Sequence, residues 1–231
     1  HQEKLHFAIG RGRKRASIGV HDLATLTPPF RVECVSGDYS FTPLQMEHQM
    51  SIDEILDKHE KGVDYAHLLE GFKSYPVILD ASDKVLSFPP IINGDHTTVS
   101  HSTTDFFIDV TGWDERACEC CLLLVCLQLA ARGGAVESVN VSSCHDAQLT
   151  TPDGSPKRYN VPAELVAQIL GHEFGDAELK NAISRMGGDF RGREPAGSND
   201  GGKNRMADTS PGGEWLVIDM PRWRFDILHP I

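Results

Sequence analysis

Thr104-Asp-Phe-Phe-Ile-Asp-Val-Thr111 is followed, past Asp114, by Glu115-Arg-Ala-Cys-Glu-Cys-Cys-Leu-Leu-Leu-Val-Cys-Leu-Gln-Leu-Ala130. The first segment alternates with period two, so Phe106, Ile108 and Val110 fall on one face and Asp105, Phe107, Asp109 and Thr111 on the other. It predicts a half-buried strand that carries both carboxylates and the threonine hydroxyl on a single face. The second segment predicts a helix from Glu115 to Arg132. Asp114 can accept from the free N–H groups of its first turn, and Gly133-Gly134 stops it. A strand running straight into a capped helix sets the class as α+β, a mixed α/β chain.

Toward the N-terminus, Pro76-Val-Ile-Leu-Asp80, a turn at 81–83, and Lys84-Val-Leu-Ser-Phe88 read as a hairpin. Pro89-Pro90 ends its second strand because neither proline can donate to a ladder. Ser51-Ile-Asp-Glu54 is a capping box that opens a helix to about His59. A second short helix is expected from Asp64 to Phe72, and strands at 15–20 and 30–35. Toward the C-terminus, a strand is expected from Ala135 to Ser142. The turn-rich stretch 150–156 then marks a boundary, giving domains at 1–155 and 156–231. Helices at Pro162–Leu170 and Asp176–Met186 and a strand at Glu214–Met220 complete the second domain. Residues 187–213 contain eight glycines and almost no apolar side chains, which predicts a mobile loop.

The bulk numbers narrow the function. With 231 residues, 40% of them hydrophobic, the chain can bury real cores. The run Cys120–Leu127 is far too short to cross a bilayer, and no charged-then-apolar leader opens the chain, so no membrane association is expected. Four of the six cysteines ride on one helical pattern. That spacing is not a secreted disulfide framework and fits a reducing cytoplasm. Cys118 and Cys121 have C-x-x-C spacing, but no second pair stands nearby in sequence, and no zinc is expected. A net charge of -11 excludes nucleic-acid affinity built on bulk electrostatics. The one basic cluster is Arg11, Arg13, Lys14 and Arg15. The chain starts at His1 and stops at Ile231 just after a strand-like stretch, so both ends read as cuts in a longer polypeptide.

Four segments together resemble the β subunit of archaeal and eukaryotic phenylalanyl-tRNA synthetases. They are Ala16-Ser-Ile-Gly-Val-His-Asp-Leu23, Val85-Leu-Ser-Phe-Pro-Pro-Ile-Ile-Asn-Gly94, Phe107-Ile-Asp-Val-Thr-Gly112 and Pro221-Arg-Trp-Arg-Phe-Asp-Ile-Leu-His229. The resemblance implies an editing domain of the B3/B4 type at 1–155 and a small B5-type domain at 156–231. It also implies an α subunit that holds the aminoacylation centre, a heterotetrameric whole enzyme, and tRNA(Phe) as substrate. The family's editing reaction hydrolyses tyrosine misattached to that tRNA. An apolar slot cannot prefer tyrosine over phenylalanine, but a buried acceptor for the phenolic hydroxyl can, because phenylalanine would leave it unpaired.

By resemblance Asp109 and Thr111 match an Asp and a Thr of the editing pocket, with Ser87 and Ile78 carried over on the preceding strands. Asp109 is expected in a concave pocket with Ser87 or Thr111 in hydrogen-bond reach. Asn93 can bind the ester carbonyl or the terminal adenosine, although asparagine before glycine is also turn chemistry. His21 and His96 are the alternatives for the base and His21 is also a substrate-contact candidate, while a structural role is the commoner one for a histidine without a placed partner. No nucleophile and base pair stands out, so water is expected to attack the ester. Asp226 matches the first of several Mg2+ ligands in bacterial relatives; alone it makes an incomplete site. The alternative to hydrolysis is a non-catalytic module that seats tRNA or the α subunit.

Overall fold

The computed structural model describes residues 2–142, 148–195 and 213–227. The chain is α+β and divides into two units with separate cores, His1–Arg132 and Gly133–Ile231. The division follows the glycine pair that stops the long helix, whereas the sequence reading places it at the turn-rich stretch near 155.

In chain order the first unit consists of α1 (Gln2–Ala8), β1 (Ser17–Asp22), β2 (Arg31–Val35), β3 (Ser40–Phe41), β4 (Met50–Ser51), α2 (Ile52–Lys58), α3 (Glu60–Tyr65), β5 (Tyr75–Leu79), β6 (Val85–Phe88), β7 (Ile92–Asn93), β8 (Phe106–Thr111) and α4 (Glu115–Ala130). The capping box is formed as read. Ser51 Oγ accepts from the Glu54 N–H at 3.1 Å, and the Glu54 carboxylate accepts from the Ser51 N–H at 3.2 Å. Where one helix is expected from 64 to 72, α3 ends at Tyr65 and a 3-10 turn covers Ala66–Leu69. The cause is an earlier start. His59 Nδ1 accepts from the Lys61 N–H at 3.1 Å and caps α3. Gly62 then lets α3 meet α2, because a Cβ there would lie 1.7 Å from the Ile55 carbonyl oxygen.

Strands β2, β5, β6 and β7 form an antiparallel sheet in the order β2-β5-β6-β7, and β1 pairs antiparallel with β8. One side of the four-stranded sheet carries the main core, with Val77, Leu79 and Phe88 packed against Ile52 and Ile55. Each such side chain contributes about 1.5–3 kcal/mol when fully buried. The β5–β6 register shifts from Ile78↔Ser87 to Leu79↔Val85, so Leu86 is one extra residue in a bulge. The bulge turns Leu86 to the opposite side, where it joins Leu26 and Ile78, with Phe30 and Phe107 packed on them. Helix α4 is capped by Asp114, which accepts from the Ala117 N–H at 3.1 Å.

The second unit holds the hairpin β9 (Val139–Ser142) and β10 (Gln148–Thr151), then β11 (Lys157–Pro162), α5 (Ala163–Leu170), α6 (Asp176–Arg185), β12 (Asp189–Pro195) and β13 (Glu214–Met220). Strand β13 lies between β11 and β12, antiparallel to both. Its Leu216, Ile218 and Met220 share a core with Val161, Leu179 and Ile183. The expected loop at 187–213 is corrected at its start, since Asp189–Pro195 is an edge strand. Its sequence buries little of its own. The hydrogen-bond ladder to the buried β13 orders it, and no pattern within those seven residues could show that. The rest of that stretch, 196–212, lies outside the described residues. No helix among the described residues is long and apolar enough to cross a membrane.

Candidate functional site

Asp109 stands directly opposite Gly19 in the β1–β8 ladder, and Phe107 opposite His21. Directly paired residues point to the same side of a sheet, so the Asp109 carboxylate crosses the Gly19 backbone toward His21, two residues further along β1. A Cβ on residue 19 would lie 1.9 Å from Asp109 Oδ2 and 2.7 Å from His21 Nε2. Only glycine leaves that passage open. His21 Nε2 and Asp109 Oδ2 are 2.7 Å apart, and His21 Nδ1 is 2.8 Å from Thr97 Oγ1. The Thr97 hydroxyl donates to the Gly94 carbonyl at 2.9 Å. His21 is 0% exposed, Thr97 1%, and the Asp109 side chain 9%. His21 therefore has no open nitrogen with which to act as base or to touch a ligand. Asp109 Oδ1 has no hydrogen-bond partner among the described residues.

Three other sequence candidates form one row across the larger sheet. Ile78 pairs with Ser87, and Ser87 pairs with Asn93. Ile78 and Ser87 are buried and Asn93 is partly exposed. The bulge residue Leu86 lies beside them, its carbonyl taking the Gly94 N–H at 2.8 Å. Phe107 packs on the Ile78–Leu86 cluster, its ring centroid 4.3 Å from that of Phe30. Since Phe107 and Asp109 share a face of β8, that face confronts the side of the sheet that carries Ile78 and Ser87. Thr111, opposite Ser17, sits two residues further along the strand and is partly exposed. The hydrogen-bond partner of Asp109 is thus His21, where the sequence reading expected Ser87 or Thr111.

Two further groups are Asp80, which the sequence reading took only as the end of a strand, and His96, which it offered as an alternative base. Asp80 is fully buried and accepts from the N–H groups of Thr27, Ser82 and Lys84 at 3.2, 2.8 and 3.0 Å. Burial pushes its carboxyl up, but the three backbone donors outweigh this and hold it below the usual carboxylate range. His96 follows Asp95 in the 3-10 turn Asp95–Thr97, and its Nε2 is buried without a partner among the described residues. Burial, with the nearby Lys84 charge, lowers its pKa and keeps it neutral. Thr97 and Gly19 escaped the sequence reading. Gly19 carried a signal, because it falls opposite Asp109 once the two strands are paired.

The remaining candidates are placed elsewhere. Arg13 is structural: it donates to the carbonyls of Pro90 and Ile91 at 3.1 and 2.8 Å and stacks 4.4 Å from the Tyr65 ring centre. Cys120, Cys121 and Cys126 are buried on α4, and burial pushes Cys121 up to about 12 and Cys118 to about 11. Those thiols are protonated at neutral pH. Among the described residues no three His, Cys, Asp or Glu side chains gather as a metal site requires. Asp226 does not fit a Mg2+ ligand as it stands. Arg224 grips both its oxygens, at 2.9 and 2.8 Å, so a guanidinium occupies the edge that a cation would need. A cavity of about 300 Å³ lies in the second unit, lined by Val166, Phe174, Leu179 and Leu216 with Arg193 and Glu214, and contains none of the sequence candidates.

Comparison with known proteins adds an independent line. Residues 3–119 match the B3/4 domain family. The chain is 43% identical over 228 residues to the phenylalanine–tRNA ligase β subunit of Methanococcoides burtonii, and 44% over 229 residues to that of Methanothrix thermoacetophila. Each alignment covers 99% of this chain and 39% of the relative. The chain therefore spans about two fifths of the length of these relatives. The crystal structure of an N-terminal fragment of the phenylalanyl-tRNA synthetase β subunit from Pyrococcus horikoshii superposes with a TM-score of 0.79 at 32% identity, covering 99% of this chain and 60% of that one.

Proposed function

The chain belongs to the phenylalanine–tRNA ligase β-subunit family and carries its B3/4 domain, and from that premise we propose that its first unit hydrolyses tyrosine esterified by mistake to tRNA(Phe). One observation carries the proposal. Asp109 is an almost buried carboxylate with Oδ2 held by His21, Oδ1 left to accept, and an apolar aromatic floor at Phe107. A phenolic hydroxyl donates to Oδ1. The phenylalanine ring offers no donor and leaves the acceptor desolvated and unpaired, which penalises the cognate amino acid.

Around that acceptor Ile78 supplies an apolar wall for the ring. The hydroxyls of Ser87 and Thr111 and the amide of Asn93 are the polar groups available to orient the ester and the attacking water. In the reaction the water oxygen bonds to the ester carbonyl carbon, the bond to the ribose oxygen breaks, and the water's proton passes to that oxygen. His21 is not available to serve as base, since both its ring nitrogens are engaged. In the whole synthetase the chain works with the α subunit in the cytoplasm, and the α subunit forms Phe-tRNA.

The test is Asp109→Ala in the complete αβ enzyme. Deacylation of Tyr-tRNA(Phe) falls by about 10²-fold or more, while charging with phenylalanine stays near wild type. Loss of both activities together overturns the proposal and makes Asp109 a folding residue. Unchanged deacylation removes Asp109 as the reader of the hydroxyl, and absence of Tyr-tRNA(Phe) deacylation by the wild-type enzyme makes the unit a non-catalytic seat for tRNA.

A further inference from the structure

Asp109 is presented by a chain of groups that lies behind it, out of reach of any substrate. Thr97 Oγ1 is 2.8 Å from His21 Nδ1 and 2.9 Å from the Gly94 carbonyl oxygen. When the hydroxyl proton goes to Gly94, Thr97 accepts from Nδ1–H. Nε2 then meets Asp109 Oδ2 either as a second N–H facing a carboxylate or as a lone pair facing a protonated carboxyl. When the hydroxyl turns to donate to Nδ1, the ring proton sits on Nε2 and again points at Oδ2. In every arrangement one proton lies between Nε2 and Oδ2, so Oδ2 is spent and Oδ1 alone is left to accept.

The backbone reinforces this. Gly19 leaves room for the carboxylate to lie across β1 in this rotamer, as the 1.9 Å approach of an added Cβ shows. His21 is 0% exposed and cannot swing out to solvent. We propose that His21, anchored by Thr97 and given access by Gly19, is the positioning residue that sets discrimination at this site: it fixes the Asp109 carboxylate so that a single oxygen reads the hydroxyl of a phenol. The proposal rests on Asp109 being that reader. His21 touches no substrate and acts only through the carboxylate.

The two ring nitrogens have different tasks, which makes the role separable from mere filling of the core. Glutamine places its amide nitrogen where Nε2 stands and can still donate to Asp109. Asparagine reaches only the Nδ1 position and keeps the Thr97 side, and leucine keeps neither. In the complete αβ synthetase, His21→Gln retains Tyr-tRNA(Phe) deacylation within about threefold. His21→Asn and His21→Leu lose about tenfold or more, the loss expected when a buried polar group loses its partner. Their preference for a tyrosyl-adenosine ester analogue over the phenylalanyl one collapses in parallel, while phenylalanine charging persists.

Asn equal to or better than Gln overturns the proposal and makes His21 a brace for the Asp95–Thr97 turn. Equal losses in all three variants with a lowered melting temperature also overturn it, as does no change in any. Asp109→Ala, which removes the acceptor altogether, measured alongside, separates the two readings. If that variant keeps full discrimination, the reading of Asp109 itself fails. If it loses discrimination while the His21 variants keep theirs, only the positioning role fails.

Discussion

Gly19 shows how strictly one residue can condition a site it never joins chemically. Its φ is not left-handed, so the demand for glycine comes from space, because the Asp109 carboxylate occupies the volume of any Cβ. Gly19→Ala forces Asp109 off His21 or pushes the strands apart. We expect a loss of about 2–4 kcal/mol, the scale of overpacking plus a buried polar contact left unmade, in urea denaturation of the 231-residue chain. A variant as stable as wild type with Asp109 still bonded to His21 would contradict this geometry. Asp219 in the second unit is a contrasting case, a carboxylate sealed by charge. Arg158 and Arg191 hold it at 2.8 and 2.7 Å and, with burial opposing, keep its pKa below the usual range. Both its oxygens are committed to guanidinium groups, so it holds three strands together and has nothing left to offer a ligand.

At the scale of elements, α1 is attached by a titratable group. His6 Nε2 accepts from the Ile18 N–H of β1 at 2.8 Å, and Nδ1 lies 3.3 Å from Glu3. Burial first, and the Arg13 charge second, lower the His6 pKa, against the opposing pull of Glu3. A depressed folded pKa means that the unfolded chain takes the proton first. The contribution is therefore complete above the unfolded value near 6.5 and is lost as pH falls through the lower folded value. Protonation also places a hydrogen on the nitrogen that must accept from Ile18. Hydrogen exchange at Ile18 and in α1 should lose protection as the pH falls below about 6.5, and His6→Gln should flatten that dependence. Protection that rises on acidification would refute the assignment. The cysteine-bearing helix behaves differently, since burial raises the pKa of Cys118, Cys121 and Cys126.

Across the whole molecule the charge is -11, and of the basic cluster Arg13 is spent on carbonyls and a tyrosine ring. Arg11 and Lys14 are exposed, too few for a phosphate-tracking surface. The isolated chain should bind tRNA weakly and yet prefer a tyrosyl-adenosine analogue over the phenylalanyl one by about tenfold or more. Calorimetry with both analogues measures this, and equal affinities would remove Asp109 as the reader of the hydroxyl. Much of this molecule was legible in one dimension. Alternation placed Asp109 and Thr111 on one face of β8, capping chemistry placed α2 and α4, and proline pairs and glycine pairs marked strand and helix ends, because these signals depend on neighbours within a few residues. The edge strand β12 was not legible, because its order comes from β13, some twenty residues away in sequence. The site divides in the same way. The sequence by itself determined which residue types stood available: a carboxylate on an apolar strand, a serine before two prolines, a buried-type histidine. Only the tertiary structure decided that Asp109 bonds His21 and not Ser87, that Ile78, Ser87 and Asn93 form a row, and that Thr97 closes the chain behind them. Those are facts of register and of sheets facing each other, set by packing between segments as much as 88 residues apart, and no local pattern encodes them.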